Sequence, residues 1–284
     1  MTAVLSALVA ALGYGVSDFV GGIASRRVAA LRVVVISYPV ALLLLVLAAV
    51  PFGGQLSTAA ILWGLSAGIV QAFGVWWFYA ALGSGPISVV SPLTAILVAG
   101  IPVLAGLAFG ERPGTLAGVG VVLALIAVVL VSRDSAGDAE AARTGARFTA
   151  KVAWLTVGAG VAFGLNFVIL HRIPKEAQLW PLVFGRAAAV VVVLIAAVAT
   201  ANLVIERGVP LRLAVLAGGL DTVANIATLV ALQSSLLSLA GVLIALYPAA
   251  TVVLAIAVLR ERVSRSQCVG MVLALAAVGM IAAG

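Results

Sequence analysis

A chain of 284 residues that is 64% hydrophobic and 9% charged, with a mean hydropathy of +1.31, has too little polar surface to fold as a water-soluble domain. The bilayer is the solvent that suits it, and its net charge of +7 is read as loop charge between apolar spans, not as a nucleic-acid footprint. One histidine, His171, and one cysteine, Cys268, exclude a multi-histidine metal centre, a thiolate site and a disulfide framework, so no cofactor is expected.

A helix needs about 20 apolar residues to cross a hydrocarbon core about 30 Å thick. Ten stretches meet that measure: 3–24, 33–52, 59–80, 87–109, 115–132, 152–170, 179–200, 213–234, 238–259 and 267–283. The first has no basic residues ahead of it and runs into Asp18, so it reads as a retained span and not a cleaved signal peptide. Prolines fall inside the second span (Tyr38-Pro39), the fourth (Pro92 and Pro102) and the ninth (Tyr247-Pro248), where a helix can kink. Trp76, Trp77, Phe78 and Tyr79 in the third span point all round a helix. They read as an interfacial belt, with one or two rings able to face a cavity. After the fifth span comes the one hydrophilic segment, Arg133 to Lys151, too polar for lipid and too short for a domain.

The second half of the chain restates the first. From about Ser88 to Val128 and from Ser238 to Val278 the residues match at a constant offset of 150: Glu111-Arg112 falls on Glu261-Arg262, Val119-Gly120 on Val269-Gly270, and Val122-Leu123-Ala124-Leu125 on Val272-Leu273-Ala274-Leu275. Residues 1–132 and 152–284 are thus expected to be five-span repeats joined by the linker 133–151. Five is odd, so the second repeat enters the membrane inverted. The expected fold is an all-α integral membrane protein of ten transmembrane helices in two inverted five-helix repeats, a plan common among secondary transporters.

Loop charge orients the chain. With the termini cytoplasmic, the inside loops would carry Arg112, Arg172 and Lys175. The outside loops would carry Arg26, Arg27, Arg32, Arg133, Arg143, Arg147, Lys151, Arg207, Arg212, Arg260, Arg262 and Arg265. The positive-inside rule therefore puts the termini outside and the linker inside.

The chain resembles the drug/metabolite transporter superfamily, of the EamA type. The resemblance spans nearly the whole sequence. It rests on Gly15-Val16-Ser17-Asp18-Phe19 and Gly164-Leu165-Asn166-Phe167 in the first span of each half. It rests also on Gly110-Glu111-Arg112 and Arg260-Glu261-Arg262, each followed by a glycine-containing last helix. It implies a ten-helix bundle that moves small metabolites, often outward, with cytoplasmic termini. That orientation opposes the charge count, and the sequence leaves the matter open.

Of the 25 charged residues only Asp18, Arg186 and Asp221 lie away from loops and span ends. A charge at mid-membrane costs at least about 2.5–3.5 kcal/mol, so it tends to face a cavity or a partner. Asp18 shares a helical face with Tyr14, Gly15 and Gly22, small residues beside a ring and a hydroxyl. Such a carboxylate takes up either a proton or a cationic solute; the alternative is an aspartate near the headgroups paired with Arg26. Asp221 begins a polar stripe with Asn225 and Thr228, and its repeat counterpart is Gln71. That stripe lines a site or forms an interhelical hydrogen-bond seam. Arg186 answers one of the aspartates, meets an anionic group, or snorkels to the interface. Asp18, Asp221, Asn225, Arg186, Gln71, Tyr14 and Asn166 are the candidate substrate- or proton-binding residues, with no catalytic or metal-binding set. Glu111 and Glu261 read as loop ion pairs with the adjacent arginines.

These residues point to a transporter of small metabolites or drugs, amino-acid-like or cationic, working as an exporter with proton coupling as one mode. Its expected partners are a small-molecule substrate and the cell-membrane bilayer, with no nucleic acid, as a monomer or homodimer. A membrane-embedded enzyme lacks a motif, and no Walker-type loop supports ATP hydrolysis. A lipid or polyprenyl-carrier flippase, or a structural membrane subunit, is the alternative. A groove open to lipid with Arg186 near a headgroup favours the flippase, and a central cavity favours a soluble metabolite.

Overall fold

The computed structural model describes residues 2–25, 27–84, 87–132, 149–259 and 264–284; the side chains of 79, 82, 83, 87, 88, 255 and 259 are also outside the description. Most of the linker, Arg26, the Tyr79 ring and the Arg260-Glu261-Arg262 triplet therefore lie outside the described residues.

In chain order the helices are α1 (Thr2–Ser25), α2 (Ala30–Phe52), α3 (Thr58–Ser84), α4 (Ile87–Ala108), α5 (Thr115–Ser132), α6 (Ala150–His171), α7 (Trp180–Ala199), α8 (Val209–Ser234), α9 (Leu237–Ile244), α10 (Tyr247–Leu259) and α11 (Arg265–Ala283). Among the described residues ten spans are long and apolar enough to cross a membrane, and α9 with α10 make the ninth. Leucines and valines such as Leu5, Leu12, Leu47, Leu104 and Leu275 stand exposed on the outer surface, as a bundle solvated by lipid requires. The protein is an all-helical, multi-pass membrane protein.

The ninth span expected over 238–259 is present, and it breaks at the Tyr247-Pro248 step where a kink was expected. Its helix stops where the Ala245 N–H donates to Gly241 O (3.0 Å) and the Leu246 N–H to Leu243 O (3.2 Å), and α10 restarts with Pro248 at its second position. Proline there loses no hydrogen bond, because the first N–H groups of a helix have no partner within it. Pro39, Pro92 and Pro102 instead sit inside continuous helices. The aromatic block divides: Trp76 is 59% exposed, Trp77 packs over Gly158 of α6, and Phe78 turns inward.

The reading of Glu111 as the partner of Arg112 is corrected. Its carboxylate accepts the backbone N–H groups of Leu237 and Ser238 (2.9 Å to the latter), capping the start of α9 from the α4–α5 turn. A carboxylate at a helix N-terminus satisfies orphan donors and complements the helix dipole. Its repeat counterpart, Glu261, lies outside the described residues.

The repeats do not form two separate halves; they interleave. The first helix of each repeat packs on the third helix of the other, α1 on α8 and α6 on α3. The second helices meet each other (α2 with α7), as do the last (α5 with α11). Two mixed bundles result: α1, α2, α8 and α10 in one, and α3, α4, α6 and α7 in the other. Small residues permit this. Gly68 lies against the Gly185 backbone, and Gly218 against Ser37, so closely that a Cβ would meet carbonyl oxygen.

Gly68→Val is expected to destabilise the protein by about 1–3 kcal/mol, as overpacking does, measured by denaturant unfolding in micelles. Gly118→Val, at a position with open space around it, should leave stability near wild type in the same assay.

Candidate functional site

Between the two mixed bundles lies a cavity of about 440 Å³, within the roughly 300–1,000 Å³ typical of small-molecule sites. α1 contributes Tyr14, Ser17, Asp18, Gly21 and Gly22, and α2 contributes Ser37 and Tyr38. Across from them stand Gln71 and Phe78 of α3 and Phe163, Asn166 and Phe167 of α6; Asp221 of α8 and Tyr247 of α10 complete the wall. The lining continues along α1 to Ser25 and along α2 to Ala30, so the cavity reaches the end of the bundle that carries the basic loops and the linker.

The three intramembrane charges are arranged unequally. Arg186 is 7% exposed, and its guanidinium is ion-paired to the Asp221 carboxylate. The guanidinium also stacks on the Tyr38 ring, with Cζ 4.6 Å from the ring centroid, a cation–π contact. Asp221 continues its stripe through Asn225, whose side-chain amide donates to the Asp221 carbonyl (2.7 Å). Asp18 has an exposed side chain within the cavity wall and, among the described residues, no ion-pair partner. Tyr14 reaches the Thr228 hydroxyl (3.4 Å) and packs edge-on to Tyr247, with centroids 6.3 Å apart.

A pseudo-two-fold relation is written into the hydrogen bonds. Ser17 Oγ donates to Ala217 O (3.0 Å), and Asn166 Nδ2 donates to Ala67 O (2.8 Å). These are one contact made twice, so Ser17 and not Asp18 is the counterpart of Asn166. The same register makes Phe167 the counterpart of Asp18 and Phe163 that of Tyr14. The glycine crossings at Ser37 and Gly185 make Tyr38 the counterpart of Arg186. Arg186 therefore stacks on its own repeat partner, close to the axis.

At the end remote from the cavity mouth the bundles are bolted together. Glu111 holds the start of α9; His171 Nδ1 lies 2.6 Å from Leu232 O; and Gln233 Nε2 donates to Ile173 O (3.4 Å). The contacts of His171 and Gln233 join one mixed bundle to the other, and Glu111 ties the α4–α5 turn to α9. At the mouth, the counterpart of His171 is Gly22, which faces open space.

Of the seven sequence-predicted residues, Tyr14, Asp18, Gln71, Asn166 and Asp221 line the cavity. Arg186 and Asn225 sit just behind it, around a small void that Gln71 and Asn166 also border. Arg186 thus meets Asp221 rather than Asp18 or the membrane surface. Tyr38, Phe163, Phe167 and Tyr247 were not singled out as site residues. The two Tyr-Pro pairs were the only signal for the tyrosines, and nothing in an apolar run marks the phenylalanines.

The EamA-like transporter family profile matches residues 1–133 and 150–283. No curated protein matches the chain. Among solved structures, one described as "Crystal structure of protein" shares 18% identity over 98% of this chain and 95% of its own, with a TM-score of 0.76. At that identity it establishes the fold alone.

Removing one partner of the Arg186–Asp221 pair strands a buried charge. Arg186→Met or Asp221→Leu alone is expected to cost about 3–5 kcal/mol, and the double replacement distinctly less than either single one. A double-mutant cycle of unfolding in detergent measures this directly.

Proposed function

This chain belongs to the EamA-like transporter family, and on that premise we propose that it is a secondary active exporter of a small amino-acid-like or cationic solute in the cell membrane. Its cavity alternates between the two faces, and a proton exchanges for substrate at Asp18. The observation that carries the reading is an aspartate exposed in a central cavity, with no ion-pair partner among the described residues. A carboxylate in a low-dielectric space is discharged by a proton or by a cation, and alternation between the two is antiport. Arg186 is held inside the bundle by Asp221 and Tyr38, away from any headgroup. With a cavity between the bundles, this supports a soluble solute over a lipid one.

The interleaved packing supports the mixed bundles as the moving bodies. The cavity lies between them, the bolts at Glu111, His171 and Gln233 close one end, and the other end is open. By the positive-inside rule the open end faces the cytosol, the side from which an exporter loads. Opening the remote end breaks the bolts, and closing the mouth brings Gly22 of α1 toward α3.

Metabolite profiling of the medium from cells expressing wild type or Asp18→Asn at matched membrane levels should show compounds enriched outside only with wild type. In proteoliposomes, wild-type flux should change with an imposed pH gradient and Asp18→Asn flux should not; equal flux and equal pH response in the two would exclude Asp18 as the exchange site. With spin labels at Lys175 and Ser234, both exposed at the bolted end, Glu111→Gln combined with His171→Ala should raise the population of long distances in pulsed dipolar spectroscopy. An unchanged distribution would show that the bolts do not hold that end closed.

A further inference from the structure

We infer that the cavity selects a monocation with an aromatic or otherwise flat apolar body and rejects zwitterionic amino acids; this rests on the transporter reading and narrows its substrate class. The argument begins with what the wall lacks. An amino acid brings a carboxylate as well as an ammonium, and burying that carboxylate requires a cation in the wall. No lysine or arginine is among the described residues of the cavity wall, and Arg186, the cation that lies away from the span ends, sits behind that wall. Asp221 neutralises it and the Tyr38 ring covers it. Among the described residues, the cavity wall therefore offers one uncompensated negative charge, on Asp18, and no positive one.

The rest of the wall suits the body of such a ligand. Tyr14, Phe78, Phe163, Phe167 and Tyr247 surround the space with rings. Ring faces attract cations and stack on flat apolar groups. Phe163 and Phe78 meet edge to face, with centroids 6.1 Å apart, on the side of the cavity contributed by the α3–α6 bundle. The pseudo-symmetry makes the division of labour concrete: Asp18 on α1 takes the ammonium, and its counterpart Phe167 on α6 takes the apolar body. One repeat supplies charge where the other supplies a ring.

The test uses three probes that share one phenyl ring and differ in charge: phenethylamine, phenylalanine and hydrocinnamate. Each is equilibrated with the full-length protein in nanodiscs of neutral lipid and bound probe is measured by dialysis. Phenethylamine should bind at least about tenfold more tightly than phenylalanine, a difference of about 1.4 kcal/mol, with hydrocinnamate weakest. Asp18→Asn should abolish that preference. The exchanged variant Asp18→Phe with Phe167→Asp, which returns the carboxylate to the opposite wall of the same cavity, should keep it. Phenylalanine or hydrocinnamate binding as tightly as the amine overturns the inference and leaves the transporter reading intact. So does the absence of binding by all three, or an amine preference that survives in a folded Asp18→Asn. The wild-type comparison decides the matter even where a variant fails to fold, and solute flux in the proteoliposomes tests the transporter reading separately.

Discussion

Backbone-to-backbone contact at glycine sets the register on which the remaining structure depends. In lipid the hydrophobic effect does not drive helices together, so their association rests on close packing and hydrogen bonds. Gly68 against Gly185 and Gly218 against Ser37 leave no room for a side chain, and each crossing joins the third helix of one repeat to the second helix of the other. Once those crossings are made, Ser17 and Asn166 fall within reach of carbonyls on the opposite repeat, and the interleaving of the two bundles is fixed. Neither repeat could bury its own first helix; each completes the other.

On that symmetric frame the chemistry is asymmetric. Two positions near the axis carry Arg186 and Asp221 in the second repeat but Tyr38 and Gln71 in the first. A third carries Asp18 in the first and Phe167 in the second. Were all three charged positions duplicated, the cavity region would hold two arginines and four aspartates, each needing compensation in a low-dielectric space. Divergence leaves one neutralised pair that braces the centre and one carboxylate that faces the cavity. The brace is not idle: without Asp221, Arg186 would present a positive charge beside the site and change what the cavity attracts.

Much of this was legible in the sequence, because the bilayer imposes simple rules. Span number follows from length and apolarity, inversion from an odd number of spans, and the candidate charges from their rarity in lipid. The polar stripe from Asp221 through Asn225 follows from helical spacing, and the match of Gln71 to Asp221 follows from the repeat. What stayed hidden depends on long-range contact. The pairing of Arg186 with Asp221 rather than Asp18, and the reach of Glu111 to the start of α9, join residues far apart in sequence. The register of the first helices was hidden for another reason. The repeat offset is not constant: the third helices align at 150, but α1 aligns on α6 through Ser17 and Asn166, one residue short of that. In runs of alanine, valine and leucine a one-residue shift leaves little trace, so the pairing of Ser17 with Asn166 shows only in their hydrogen bonds.

The same asymmetry bears on how the protein works. Two inverted repeats of identical sequence would give two states of equal energy, each the mirror of the other in the membrane. Here the bolted end carries His171 and Gln233, while the counterpart of His171 at the mouth is Gly22. The state with a closed remote end and an open, basic mouth thus gains polar contacts that its inverted twin lacks at that position. A transport cycle must cross from one state to the other and return, so binding in the cavity has to offset this bias. A ligand can do so only through interactions stronger in the second state than in the first. Asp18 stands on α1, which packs along α8, the helix that His171 holds at its far end through Leu232. Whatever moves α1 against the α3–α6 bundle to enclose a charge on Asp18 therefore pulls on the same helix pair whose far end is bolted. On the proposed exchange at Asp18, neutralisation of that carboxylate and release of the remote closure would be opposite ends of a single rigid-body motion.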